Sequence, residues 1–214
     1  MKTDDLIQKL SSEAIPAKRQ DRPMMFALKG SALAILVLGL LLVFFQPNTS
    51  LGIRIEHFEF FVGLFGFAGV LVSGLLLTAW GMTPGRAHGR RYLLATLFFL
   101  IALLLFYFLS MPFDAGTIEK GMEVTNGVRC GLATFVASFI LSAVLTFVTR
   151  NGASVRPSVT GLAIAAASFG FGGIMITVHC GSENVMHIAL WHYVVPILLI
   201  APLGYFLGRK FLRW

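Results

Sequence analysis

Residues 92–111 read YLLATLFFLIALLLFYFLSM. No charged side chain interrupts this run, and Leu and Phe dominate it. As an α-helix it reaches roughly 30 Å, at 1.5 Å per residue, which is the thickness of a bilayer's hydrocarbon core. A lone strand would leave its amides without partners in lipid, whereas a helix satisfies them within the segment. The run therefore predicts a membrane-spanning helix.

Five further stretches read the same way: 30–46, 59–80, 131–149, 159–178 and 188–207. The composition agrees. Of 214 residues, 57% are hydrophobic and 13% charged, about half the charge of a soluble domain. That excludes a soluble globular enzyme, and the apolar content excludes a disordered chain. The stretch VTGLAIAAASFGFGGIMITV (159–178) is the least hydrophobic in character. Its Gly, Ala and Ser residues suit contact between helices rather than contact with lipid. The first stretch does not read as a cleaved signal peptide. It follows a polar segment, it is too long, and Gln46-Pro47-Asn48 offers no small-x-small cleavage site.

Lys and Arg predict the orientation. The tail (Lys2, Lys9, Lys18, Arg19, Arg22, Lys29), two alternate connections (Arg86, Arg90, Arg91; Arg150, Arg156) and the C-terminus (Arg209, Lys210, Arg213) carry 14 basic residues. The opposite side carries 3, namely Arg54, Lys120 and Arg129. By the positive-inside rule both termini are cytoplasmic and the span number is even. The expected fold is an all-α membrane protein, a six-helix transmembrane bundle over 30–214 with a short cytoplasmic tail over 1–29. Within that tail, Asp4 and Asp5 suit the first turn of a helix over about 3–14 that Pro16 ends. Leu6, Ile7, Leu10 and Ala14 form one apolar stripe on it. Such a stripe needs a partner, either the membrane surface or a groove on another protein. Lys18, Arg19 and Arg22 between it and the first span suit anionic lipid.

Several functions lose support at this point. No Asp, Glu, Lys or Arg lies well inside a span, Glu59 standing at an edge, so ion pumps and charge-driven transporters lack the groups they need. P-loop, H-E-x-x-H, G-x-S-x-G, dinucleotide and C-x-x-C signatures are all missing. No enzyme is expected.

The two cysteines stand out. Cys130 precedes the fourth span and Cys180 follows the fifth, so the topology puts both at the outer end of one helical hairpin. They are candidates for a disulfide, for a shared soft-metal site, or for two independent buried thiols. The run VHCGSENVMHIALWHY (178–193) adds His179, His187 and His192 at the same end, and His57 lies in the first outer loop. Thiolate with imidazole suits Cu(I) or Zn(II), although the spacing matches no standard zinc module. On an α-helix His187 and Trp191 share a face and His192 points elsewhere. The expected set is therefore Cys130 and Cys180, with His179 and His187 as possible metal partners.

The opening M-K-T-D-D-L-I-x-x-L, the six spans, Cys130-Gly131, His179-Cys180-Gly181, Leu190-Trp191-His192-Tyr193 and the ending Gly208-Arg209-Lys210-Phe211-Leu212-Arg213-Trp214 together resemble the NrsF family of membrane-embedded bacterial anti-sigma factors. The likeness runs over the whole chain and rests on the order and spacing of motifs, none of them specific alone. It implies a protein of the bacterial inner membrane that holds an extracytoplasmic-function (ECF) sigma factor inactive. The resemblance implies that the sigma factor is bound through the tail around Leu6, Ile7 and Leu10, and is released under oxidative or heavy-metal stress through Cys130 and Cys180. It implies no required cofactor, no direct nucleic-acid contact and no small-molecule substrate. A haem- or quinone-dependent membrane oxidoreductase built on the histidines is the alternative, with a small metal transporter behind it.

Overall fold

The computed structural model describes residues 23–44, 55–83, 89–111, 114–150 and 154–213, with Gln8 and Gly52. The expected tail helix, and with it Leu6, Ile7 and Leu10, lies outside the described residues. Among the described residues the main elements, in order, are α1 Pro23–Phe44, α2 Phe58–Gly81, α3 Gly89–Leu109, α4 Ala115–Gly121, α5 Val124–Thr149, α6 Pro157–His179, α7 Val185–His187, a π-helical turn Ile188–Val194, and α8 Val195–Phe211. Among the described residues there is no strand. Six helices are long and apolar enough to cross a membrane, the last being α7, the π turn and α8 run together. The six expected spans are all present, with shifted ends. The fifth begins at Pro157, whose fixed φ and missing N–H suit a first helical turn. The fourth begins at Val124, seven residues before the expected start, because Arg129 and Asn126 sit on exposed turns of the helix without breaking it. The short α4 was not legible, having no apolar periodicity to mark it.

The spans alternate in direction. A Cβ on Gly30 near the start of α1 would meet Leu75 near the end of α2. One on Gly63 near the start of α2 would meet Tyr107 near the end of α3 and Thr177 near the end of α6. As a result Phe26, Met82 and Leu212 come together at one end of the bundle, in a buried cluster that runs along it to Met175. Cys130 and Cys180 meet at the other, the cysteine end.

Helix α6 is the centre. Of its most apolar window 78% is buried within the protein, against 17% for α3, and it packs against α2, α5 and α8. Glycine makes this possible. A Cβ on Gly170 would lie 2.5 Å from the Leu71 amide nitrogen, and one on Gly74 would lie 2.6 Å from that of Ala167, so α2 and α6 touch backbone to backbone. Gly161, Gly204 and Gly208 do the same between α6 and α8. The small-residue span thus does what its composition predicts. The outward faces of α3 and its neighbours are apolar, with Leu94, Phe98, Ile101, Leu105 and Phe108 exposed, as lipid contact requires. Several buried hydroxyls are satisfied locally: Thr78, Ser138 and Thr177 each donate to the carbonyl four residues back.

Candidate thiol and imidazole site at one end of the bundle

Helix α5 starts early enough to carry Cys130 in its second turn. Cys180 is the first residue past α6. Its N–H still donates to the Ile176 carbonyl at 2.8 Å, while its own backbone is extended (φ −78°, ψ 128°). The two sulfurs stand 3.3 Å apart as free thiols. Antiparallel packing of α5 on α6 therefore brings both cysteines to one seam, which separates them from the reading as two independent thiols.

The chain then returns into the bundle. Ser182 Oγ accepts from the Asn184 N–H, and Asn184 Oδ1 accepts from the His187 N–H at 3.1 Å, capping α7. The helix runs straight into a π turn, and the Val195 N–H donates to the Leu190 carbonyl five residues back. Pro196 follows at once and has no N–H for an α bond to the His192 carbonyl. The wider register stacks residues five apart. That rotates His192 onto the face of His187, where an unbroken α-helix would turn it away. The two imidazole rings pack edge to face with centroids 5.3 Å apart.

Four donors result. Cys130 Sγ, Cys180 Sγ and one ring nitrogen each from His187 and His192 all lie within 4.8 Å of one another. His187 Nε2 is 3.9 Å from Cys180 Sγ. Cys180, His187 and His192 are buried and Cys130 is half-buried. Sequence reasoning selected Cys130, Cys180 and His187 but missed His192. His179, the partner named instead, is not in this group: it ends α6 one residue before Cys180, where the chain leaves the helix. The only available signal for His192 was Pro196 four residues on, which marks a break in register. Trp191 locks the turn in place. Its indole N–H donates to the Gly121 carbonyl of α4 at 3.2 Å, and its ring fills the space where a Cβ on Gly127 of α5 would stand.

Cys180 lies between the two spans, and its thiol is held well below the ordinary thiol pKa. The chief cause is hydrogen bonding from Cys130, reinforced by His187 and His192 and opposed by burial. Two cysteine sulfurs and two imidazoles in a half-dry pocket form a soft donor set. Two sulfurs with two ring nitrogens are the usual tetrahedral ligands of Zn(II), and the sulfurs also favour Cu(I) or Cd(II). The haem reading fares worse, since it needs histidines on facing spans, whereas His187 and His192 share one element and pack ring on ring.

The comparisons with known proteins bear on the whole chain. A family model described as negative regulator of sigma F, NrsF, matches residues 10–214. The chain is 28% identical over 227 aligned positions to the anti-sigma-F factor NrsF of Caulobacter vibrioides (strain NA1000 / CB15N), with 100% of each chain covered. No solved structure matches. A match over all six apolar helices and both cysteines means that the chain belongs to the NrsF family, the negative regulators of sigma F.

Proposed function

We propose that the protein is a multi-pass anti-sigma factor of the bacterial inner membrane. Its cytoplasmic tail holds an ECF-type sigma factor through Leu6, Ile7 and Leu10, and thiol-directed stress at the periplasmic cysteine end releases it. The observation that carries the reading is the pair of thiols 3.3 Å apart at one end of an otherwise apolar bundle. They stand at the end opposite the one where α1 begins, close to the tail. Family membership supports a sigma-factor partner. The 14 to 3 distribution of Lys and Arg supports cytoplasmic termini.

Two signals fit the site. A two-electron oxidant converts the thiols to a disulfide, with two protons released and both electrons passed to the oxidant. Closing the 50-residue span from Cys130 to Cys180 is worth about 4 kcal/mol on chain-entropy grounds. That constraint acts on the unfolded chain; a tenfold weakening of the partner needs about 1.4 kcal/mol of bias between the bound and released packings. A thiophilic metal ion is the second signal, and His187 and His192 favour it because they complete a four-donor set. The disulfide draws together α5 and the end of α6, and a metal ion adds the start of the last span through His187 and His192.

The test is a reporter driven by the sigma-dependent promoter, in cells exposed to Cd(II) or to an oxidant. Cys130→Ser with Cys180→Ser should keep the reporter silent under both stresses while the protein stays in the membrane. A normal induction in that variant refutes the cysteine site. Changing Leu6, Ile7 and Leu10 to Asp should raise the unstressed reporter, and unaltered repression would move the sigma-binding segment elsewhere.

A further inference from the structure

A cavity of about 250 Å³ opens at the cysteine end, beside the four-donor group and distinct from it. Its wall includes His57 and Glu59 at the start of α2, Thr177 near the end of α6, Ser182 and Glu183 in the connection after Cys180, and His192. His57, Glu59 and Glu183 are exposed, whereas His192 is 1% exposed. His192 therefore belongs to both places: it lines the cavity and is one of the four clustered donors. No lysine or arginine lines the cavity among the described residues.

We propose that this cavity is the entry vestibule for a hydrated divalent metal cation, which it captures on Glu59, Glu183 and His57 and hands through His192 to the Cys130–Cys180–His187 donors. The inference rests on the metal reading of that cluster. Three of the four donors are buried, so an ion needs a route to them. The cavity is an opening whose wall includes one of those donors, His192. The donor types follow a gradient. At the mouth stand carboxylates and an exposed imidazole, which bind a cation that keeps part of its water shell. Thr177 and Ser182 also line the cavity. At the inner wall an imidazole meets two sulfurs, which hold a soft ion once its water is gone. Two carboxylates at a low-dielectric cleft also concentrate cations and raise their association rate, by about 10-fold or more at low ionic strength.

The experiment uses the full chain in detergent micelles, reduced, with Cd(II) as probe and thiolate-to-metal charge-transfer absorption as readout in stopped flow. Wild-type protein should load one Cd(II) per chain, at a rate that falls steeply with added salt. Glu59→Gln with Glu183→Gln should load about tenfold more slowly, with the salt dependence largely gone, yet reach the same final absorption. His57→Gln should slow loading to a smaller degree. If the double variant loads as fast as the wild type, the vestibule is overturned while the four-donor site stands. If the wild type develops no charge-transfer band at all, the metal reading itself falls and takes this inference with it. If the double variant loses final absorption as well as rate, the carboxylates are part of the donor set and the entry role is wrong.

Discussion

Cys180 joins three conditions that rarely meet in one thiol. It is 7% exposed, a second thiol hydrogen-bonds to it at 3.3 Å, and two imidazoles stand beside it. A sulfur in that setting, once deprotonated, attracts any soft electrophile, whether a metal ion or an oxidising sulfur or oxygen centre. The histidines can be tested one at a time. His192→Ala should weaken Cd(II) binding at least about tenfold, the amount that even outer-sphere partners of a metal are worth, in a titration against a competing chelator. His179→Ala should leave it unchanged. Equal losses in the two variants would remove His192 from the set. A different residue tests the core. Ser168 Oγ is fully buried with no hydrogen-bond partner among the described residues. Ser168→Ala should thus be neutral or stabilising in detergent thermal melts, since it deletes a hydroxyl that burial alone penalises. A drop in melting temperature would show that the hydroxyl has a partner after all. At this scale the sequence was informative about sulfur and less so about nitrogen. Cysteines are few, and the topology left them one shared end. Histidines are common at membrane boundaries, and only their register tells them apart.

The π turn shows why register escaped the reading. Hydrophobic periodicity assumes about 3.6 residues per turn, and on that count His187 and His192 diverge. Pro196 breaks the count, and the Val195 N–H reaches back five residues instead of four. Pro196→Ala should restore the N–H for an α bond to the His192 carbonyl, and with it an α register that turns His192 away from His187. The helical circular-dichroism signal should persist, while Cd(II) affinity falls as far as it does in His192→Ala. Undiminished affinity in Pro196→Ala would mean that the π turn is not what builds the site. Span existence, by contrast, was legible from apolar length alone, because lipid permits little else. The ends of spans were not, since Asn126 and Arg129 can ride on a helix that continues past the hydrocarbon.

Across the molecule, α6 carries the packing and its glycines carry α6. A Cβ on Gly161 would collide with the Gly204 carbonyl and press on the Gly208 backbone, neither of which can rotate away as a side chain does. Gly161→Ala should therefore cost about 1–3 kcal/mol and lower the melting temperature of the purified protein. Gly39 in α1, with nothing within 4 Å of its Cβ position, supplies the control, and Gly39→Ala should melt like the wild type. If both variants melt alike, the α6–α8 seam is looser than described. Sidedness belongs to this scale too. After reduction, a thiol reagent that cannot cross bilayers should label Cys130 in intact cells whose outer membrane has been opened. Labelling that appears only after the inner membrane is breached would reverse the orientation and remove the proposed sensor from the periplasm.

The first span is the outlier of the bundle: α1 packs chiefly on α2, and most of its surface is left to lipid. Helix α2 in turn is fused to α6 by glycine contacts at Gly74 and Gly170, and α6 ends one residue before Cys180. In the proposed reading, a signal at the sulfurs runs from α6 to α2 to α1 before it reaches the tail. Whatever loosens α2 should leave the two ends of the protein deaf to each other while each still does its own work.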